Sequence, residues 1–178
     1  RMSKNIVIRT LVKAYISIMR GTPLMLQILV VYFGPFYIFE MKMGPGYRFP
    51  AVIIAFVINY AAYFAEIYRA GIESMPKGQY EAAKVLGFSR TQTFFKIILP
   101  QVIKKILPPV TNETITLVKD TSLAQVITVT EIFTKAQQIA AAKSNVMPLM
   151  VAGVFYYVFN FLVAFIMERV EKKFSYFR

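Results

Sequence analysis

The longest uncharged apolar stretch of the chain most constrains its fold. Residues 147–167 are 21 consecutive residues without a charged side chain, and residues 24–39 and 50–65 form two further uncharged blocks. About 20 such residues span the hydrocarbon core of a bilayer as an α-helix. Charged residues make up only 17% of the chain, against about 25% in ordinary soluble domains. We therefore predict an all-α membrane protein, a multi-helix transmembrane bundle; a very apolar soluble helical core is the alternative.

The basic residues flank the apolar blocks, and most of them fall in segments that would lie on the same side of a membrane. The formal net charge is +12, and most Lys and Arg residues fall within residues 1–20, 69–105 and 169–178. A nucleic-acid-binding protein would instead gather them on one face. Short loops rich in Lys and Arg stay in the cytoplasm. We expect those three segments on the cytoplasmic side and the loop "EMKMGPGYRFP" outside.

The apolar blocks and the prolines predict four spans in one domain over residues 1–178. The first covers about residues 14–39 and is kinked near Pro23, and the second covers about residues 49–69. The third begins near Ile97, is interrupted by Pro100, Pro108 and Pro109, and continues as a broken helix or two half-helices. The last span covers about residues 147–168.

Two absences in the sequence exclude common chemistries. The chain has no Cys and no His, which excludes disulfides, thiol catalysis and the commonest transition-metal sites. It also has no G-x-x-x-x-G-K-[ST] phosphate-binding loop. We therefore expect no catalytic residues, no metal site and no cofactor in this chain.

Residues 72–96 form a polar interruption between apolar blocks, predicted to be a cytoplasmic loop of two short helices. Glu73 or Ser74 can cap the first helix, which reaches Leu86, where Gly87 supplies a left-handed stop. A capping box, S-x-x-Q at residues 89–92, begins the second helix. Leu86 and Phe88 are predicted to form an apolar knob that suits a cleft on a soluble partner; an amphipathic helix on lipid headgroups is the alternative.

The same loop resembles the EAA motif in membrane subunits of ABC importers, which reads E-A-A, three residues, G, nine residues, I, one residue, L-P. Every motif position matches, at Glu81, Ala82, Ala83, Gly87, Ile97, Leu99 and Pro100. The resemblance implies a bundle of the type I ABC importer permease kind, with a coupling helix seated in a cytoplasmic ATPase subunit that binds the ATP and Mg. The coupling residues that it implies are Glu81, Ala82, Ala83, Leu86, Gly87 and Phe88.

Further strings resemble one branch of that family, the polar amino acid permeases: "YISIMRGTPLMLQ", "AYFAEIYRAGIESMPKGQYEAAKVLG" and "LPPVTNETITLVKDTSL". Members normally begin with one more transmembrane helix, which we expect before this sequence. The resemblance implies ATP-driven, alternating-access import of polar amino acids across a prokaryotic inner membrane. It also implies three partners: the ATPase, a second identical or different permease subunit, and an extracytoplasmic amino acid-binding protein.

The string "NETITLVKD" places charges at membrane depth, where they cost a few kcal/mol and usually mark a function. At 100° per residue, five of its side chains share an arc of about 120°: Asn112, Glu113, Thr116, Lys119 and Asp120. We expect this face to bind a zwitterion, with Lys119 or the half-helix amides near Ser122 attracting its carboxylate, and the excess of carboxylates on the face favours a cationic amino acid. Pairing of Lys119 with Glu113 is the structural alternative. The substrate-binding residues predicted here are Asn112, Glu113, Thr116, Lys119, Asp120 and Ser122.

Three other residues are candidates for the same site. Thr22 and Gln27 lie near the predicted kink and can reach a cavity. Tyr63 shares a helix face with Asn59 and Glu66, a stripe that fits either helix packing or a gate. The alternative function is an ATP-independent ion channel or proton-coupled carrier that uses Glu113, Lys119 and Asp120 as a relay.

Overall fold

The chain is mainly helical in the part that the structure, a computed structural model, describes, residues 5–174. Arg1, Lys4 and Arg178, which contribute to the predicted topology, lie outside the described residues. The elements are α1 (Ile6–Gly21), α2 (Leu24–Phe39), α3 (Arg48–Glu73), α4 (Lys77–Val85), α5 (Arg90–Gln92), α6 (Leu99–Asp120), α7 (Ile132–Lys143) and α8 (Met147–Phe174). A π-helical turn, Thr93–Ile98, joins α5 to α6, and a 3₁₀ segment, Thr121–Ile127, follows α6. The predicted all-α fold is confirmed.

Among residues 5–174, two helices are long and apolar enough to cross a membrane unbroken. α3 has 26 residues and α8 has 28, and they contain the spans predicted over residues 49–69 and 147–168. In α8 only 6% of the most apolar window is covered by the rest of the chain, against 39% in α3. α3 is therefore the central helix, and α8 lies at the periphery.

The first predicted span is broken rather than kinked. The chain bends by 110° away from a straight path between α1 and α2. Thr22 and Pro23 between them are both in extended conformations. Pro23 has no N–H to donate to the carbonyl of Met19, four residues earlier. The prediction of one kinked span over residues 14–39 is therefore wrong, because α1 starts at Ile6 and turns away from α2.

The third span is interrupted later than predicted. α6 is one continuous α-helix with Pro108 and Pro109 inside it, and Pro100 stands in its first turn, where a missing N–H matters least. The regular helix ends at Asp120, and Thr128 closes the 3₁₀ segment in a left-handed conformation at φ 59°. The predicted interruption at Pro108 and Pro109 is wrong, since α3 and α8 pack on α6 and support the helix through both prolines.

Small residues let α3 approach its neighbours closely. Ala51, Ala55 and Ala62 are 0–1% exposed. Gly71 lies against α6, where an added Cβ would come within 2.3 Å of Ile106 Cγ2. Near the end of α3, its backbone therefore packs directly against side chains of α6. A cavity lies between the two helices beside this contact.

Candidate functional site

A cavity of about 410 Å³ opens between the end of α1, the second half of α3 and the middle of α6. This size lies within the range of small-molecule sites, about 300–1,000 Å³. Its walls combine charged groups of both signs with apolar surface, including Arg20, Tyr63, Glu66, Lys105, Ile106 and Glu113. Such a cavity can hold a zwitterion, because each charged end of the ligand finds an opposite charge.

Arg20 enters the cavity from the last turn of α1. Its guanidinium carbon lies 5.3 Å from the centroid of the Tyr63 ring, a cation–π distance. This contact leaves the guanidinium its positive charge, because the aromatic ring carries no net charge. The positive charge stays available to a carboxylate in the cavity.

Glu66 and Lys105 already have polar partners within the chain. The carboxylate of Glu66 bonds to the guanidinium of Arg69, which also bonds to Glu73. Lys105 Nζ donates to the carbonyl of Ser74 at 3.1 Å. These two residues shape the mouth of the cavity near the loop.

The predicted polar face of α6 divides between two environments. Glu113 lines the charged cavity, whereas Asp120 accepts a hydrogen bond of 2.8 Å from the hydroxyl of Tyr60 on α3. Asn112, Thr116 and Lys119 are exposed on the outward side of α6. The structure brings Glu113 and Tyr63 together and leaves those three outside the cavity.

Ser122, Thr22 and Gln27 also lie away from it. The Ser122 hydroxyl donates to the carbonyl of Lys119 at 2.8 Å. Thr22 and Gln27 line a different, almost wholly apolar cavity of about 400 Å³ beside α3, and the amide nitrogen of Gln27 donates to Thr22 Oγ1 at 2.8 Å. Their polar atoms form hydrogen bonds at the break between α1 and α2.

Sequence reasoning left Arg20 and Lys105 out of the site. Arg20 had been assigned only to the flanking basic residues, although it directly precedes Gly21 and Pro23, which turn the chain. Lys105 lies eight residues before Glu113 on α6, which is just over two helical turns. A helical wheel of α6 that includes its first turns places Lys105 and Glu113 on neighbouring faces of the helix.

The loop between α3 and α6 begins and ends largely as predicted. Gly87 has φ 77° and ends α4, and the Ser89–Gln92 capping box is present in both directions. The predicted cap at Glu73 or Ser74 is wrong: Pro76 precedes α4 without a side-chain cap, because the Ser74 hydroxyl instead donates to the carbonyl of Gly71.

The exposed apolar tip of this loop lies slightly earlier in the chain than predicted. Val85 and Leu86 are 87% and 73% exposed, whereas Phe88 is half-buried beside Phe94 in a groove under α4. The predicted knob of Leu86 and Phe88 is thus wrong in its second member, because the left-handed turn at Gly87 sends the chain back toward α6. Ala83 is buried, and Glu81 and Ala82 are exposed.

An apolar cluster links this loop to the cavity. Met75, Ile98 and Val102 are its buried members, and Ile106 packs against them. Ile106 also lines the charged cavity. Packed side chains therefore connect the loop to the wall of the cavity.

The chain matches a family model over residues 2–176, described as the binding-protein-dependent transport system inner membrane component. It is 39% identical over 175 residues to the L-cystine transport system permease protein of Bacillus subtilis, covering 97% of this chain and 73% of the relative. It is 41% identical over 160 residues to the arginine transport system permease protein of the same organism, covering 89% and 72%.

A solved structure is similar over nearly the whole chain. It is described as the crystal structure of an amino acid ABC transporter with histidines, and the likeness has a TM-score of 0.85 at 33% identity. The match covers 97% of this chain and 79% of the other. The helices that form the cavity and the loop thus follow an arrangement already seen by experiment.

Proposed function

The chain belongs to the family of binding-protein-dependent transport system inner membrane components and is the membrane subunit of an amino acid ABC importer; we propose that its charged cavity is the transport site. Arg20 would bind the carboxylate of the amino acid and Glu113 its ammonium group. The observation that carries this proposal is that both side chains line one cavity of suitable size. Tyr63 would present Arg20 to the ligand.

The charges of this cavity favour recognition of the amino acid backbone. Two cations, Arg20 and Lys105, face two carboxylates, Glu66 and Glu113. The excess of carboxylates that favoured a cationic amino acid in the sequence is absent among these four. We therefore propose zwitterionic polar amino acids in general as substrates, with side-chain preference set elsewhere.

The outward polar residues of α6 are proposed to face the second permease subunit. Family membership implies such a subunit, an ATP-hydrolysing subunit and a substrate-binding protein as partners. Asn112, Thr116 and Lys119 are exposed on a helix at membrane depth, where contact with lipid would be unfavourable. Facing a second subunit across a watery pathway would solvate them.

The loop from α4 to α5 is proposed to lie in the cytoplasm and to dock on the ATPase. Val85 and Leu86 form an exposed apolar surface beside Lys84, and burying that surface against a partner would be favourable. ATP and Mg would bind to that partner and not to this chain. ATP binding would draw the two loops together, and the cluster around Met75 would pass the movement to Ile106.

The test compares site and loop variants of the complex in liposomes. We expect Glu113→Gln and Arg20→Gln to abolish amino-acid stimulation of ATP hydrolysis while the subunits still copurify. We expect Leu86→Asp to release the ATPase subunit, with Val146→Asp, at a 60% exposed position just before α8, as the control for general damage.

Normal stimulation in both cavity variants would refute the transport site. Copurification of the ATPase with Leu86→Asp at normal yield would refute the docking surface. Uptake that proceeds without ATP or the ATPase would favour an independent carrier.

A further inference from the structure

Side-chain amides fill the gap where α1 breaks from α2. The carbonyl of Met19 cannot receive its usual helical bond, because residue 23 is proline. Gln27 Nε2 donates to this carbonyl at 2.9 Å, and Asn59 Nδ2 donates to it at 3.1 Å. Two side chains from two other helices therefore replace the one missing N–H.

The two amides also bond to each other and to the linker. Asn59 Nδ2 donates to Gln27 Oε1 at 3.0 Å. Gln27 Nε2 donates to Thr22 Oγ1 at 2.8 Å and approaches the Thr22 carbonyl at 3.2 Å. Asn59 is only 5% exposed, so its bonds to Met19 and Gln27 form largely away from water, where an unmade bond costs most, whereas the bonds to Thr22 lie at an exposed position.

This network lies beside the cation of the charged cavity. Arg20 directly follows Met19, whose carbonyl carries two of the bonds. Its guanidinium lies over Tyr63, which is one helical turn after Asn59 on α3 and thus on the same face. The angle of the break therefore determines where Arg20 lies.

We propose that Thr22, Gln27 and Asn59 form an amide latch, which fixes the 110° angle between α1 and α2 and so positions Arg20 in the charged cavity. The latch residues are positioning residues and do not touch the substrate. The transport consequence rests on the proposed function of the cavity, whereas the geometric consequence does not.

The geometric test measures a distance that depends on the bend between α1 and α2. The chain has no cysteine, so spin labels can be placed at Ile8→Cys and Ile38→Cys, which replace side chains that are 50% and 69% exposed. With 1.5 Å rise per residue, the two sites are about 26 Å apart across a 110° bend and about 45 Å apart in a straight helix. Electron–electron distance measurements on the complex in liposomes separate these values.

The test variant is Gln27→Leu, which keeps the size of the side chain and removes its donors and acceptor. We expect the narrow distribution near the short distance to broaden toward longer distances. We also expect the concentration for half-maximal stimulation of ATP hydrolysis to rise about tenfold, with the maximal rate within twofold, because loss of a buried hydrogen bond is of this order. L-glutamine, L-arginine and L-cystine serve as parallel probes.

Two further variants keep the test decisive. Gln137→Leu, at an exposed position of α7, is the matched control and should leave distance and stimulation unchanged. Thr22→Val keeps the shape of threonine and removes one acceptor of the latch. It should broaden the distribution less than Gln27→Leu, and it replaces that variant should Gln27→Leu fail to assemble.

Each outcome separates the latch from the transport site. An unchanged distance distribution in the latch variants overturns the latch, and weaker stimulation with unchanged distances indicates instead that Gln27 contacts substrate. A broadened distribution supports the latch even when Glu113→Gln leaves stimulation normal, a result that would refute only the transport site.

Discussion

Replacing Gly71 with alanine inserts a methyl group into the contact between α3 and α6. The new Cβ would lie 2.3 Å from Ile106 Cγ2 and 3.2 Å from Val102 Cγ1. Carbon atoms pack best about 3.5–4.0 Å apart, so the first contact is too short by about 1.2 Å. The Cγ2 methyl is held on a β-branched carbon and cannot easily rotate away, so we expect α6 to move.

The size of the effect follows from two opposing terms. Overpacking a core costs about 1–3 kcal/mol, and replacing a helical glycine with alanine returns about 0.5–1 kcal/mol. The net loss in unfolding free energy is about 1 kcal/mol at the midpoints of these ranges and at most about 2.5 kcal/mol. For a chain of this size, the midpoint value lowers the melting temperature by about 2–4 °C.

The assay is thermal unfolding of the purified complex, with ATP hydrolysis measured in parallel. Gly153→Ala is the matched control, because a Cβ there meets no heavy atom within 4 Å. Gly71→Ala with Ile106→Leu removes the clashing methyl and should recover part of the loss. A melting temperature for Gly71→Ala equal to that of Gly153→Ala, or no recovery in the double variant, would contradict the close approach of the two helices.

Three further substitutions test individual contacts. Glu131→Ala removes the carboxylate that accepts from two backbone N–H groups at the start of α7 and from a tyrosine of α8; we expect a loss of about 1–2 kcal/mol in thermal unfolding. Ser89→Ala removes one half of the capping box and should raise backbone hydrogen exchange in α5 without changing exchange in α8. Tyr60→Phe removes the donor to Asp120 and should lower stability by about 1–3 kcal/mol, whereas Tyr157→Phe, at a 72% exposed position, should change it little.

The features that sequence predicts well are those fixed by a few neighbouring residues. The stop at Gly87 and the capping box at Ser89 depend on backbone conformation and bonds within three residues, and both were predicted. The spans of α3 and α8 follow from uninterrupted apolar composition. The assignment to an ABC importer permease, made from the spacing of the EAA motif, is confirmed by the family model, and the assignment to the amino acid branch, made from three further strings, is confirmed by the amino acid permease relatives.

The features that sequence does not predict depend on contacts between helices. Pro23 marks a break, but the angle of 110° also reflects bonds from Gln27 and from Asn59, which is 32 residues further along the chain. The division of the polar face of α6 depends on which side α3 covers, so periodicity alone groups Asn112 with Glu113. Arg20 reaches the cavity only because α1 turns at this break.

The length of α8 ties the protein to the thickness of its bilayer. Its 21 uncharged residues rise about 31 Å, close to the hydrocarbon depth of about 30 Å, and the Lys172–Glu168 ion pair lies just beyond them. Lipids with shorter acyl chains would force this helix to tilt. Because α8 packs along α6, that tilt would reach the helix that carries Glu113, so transport speed should vary with acyl-chain length in reconstituted vesicles.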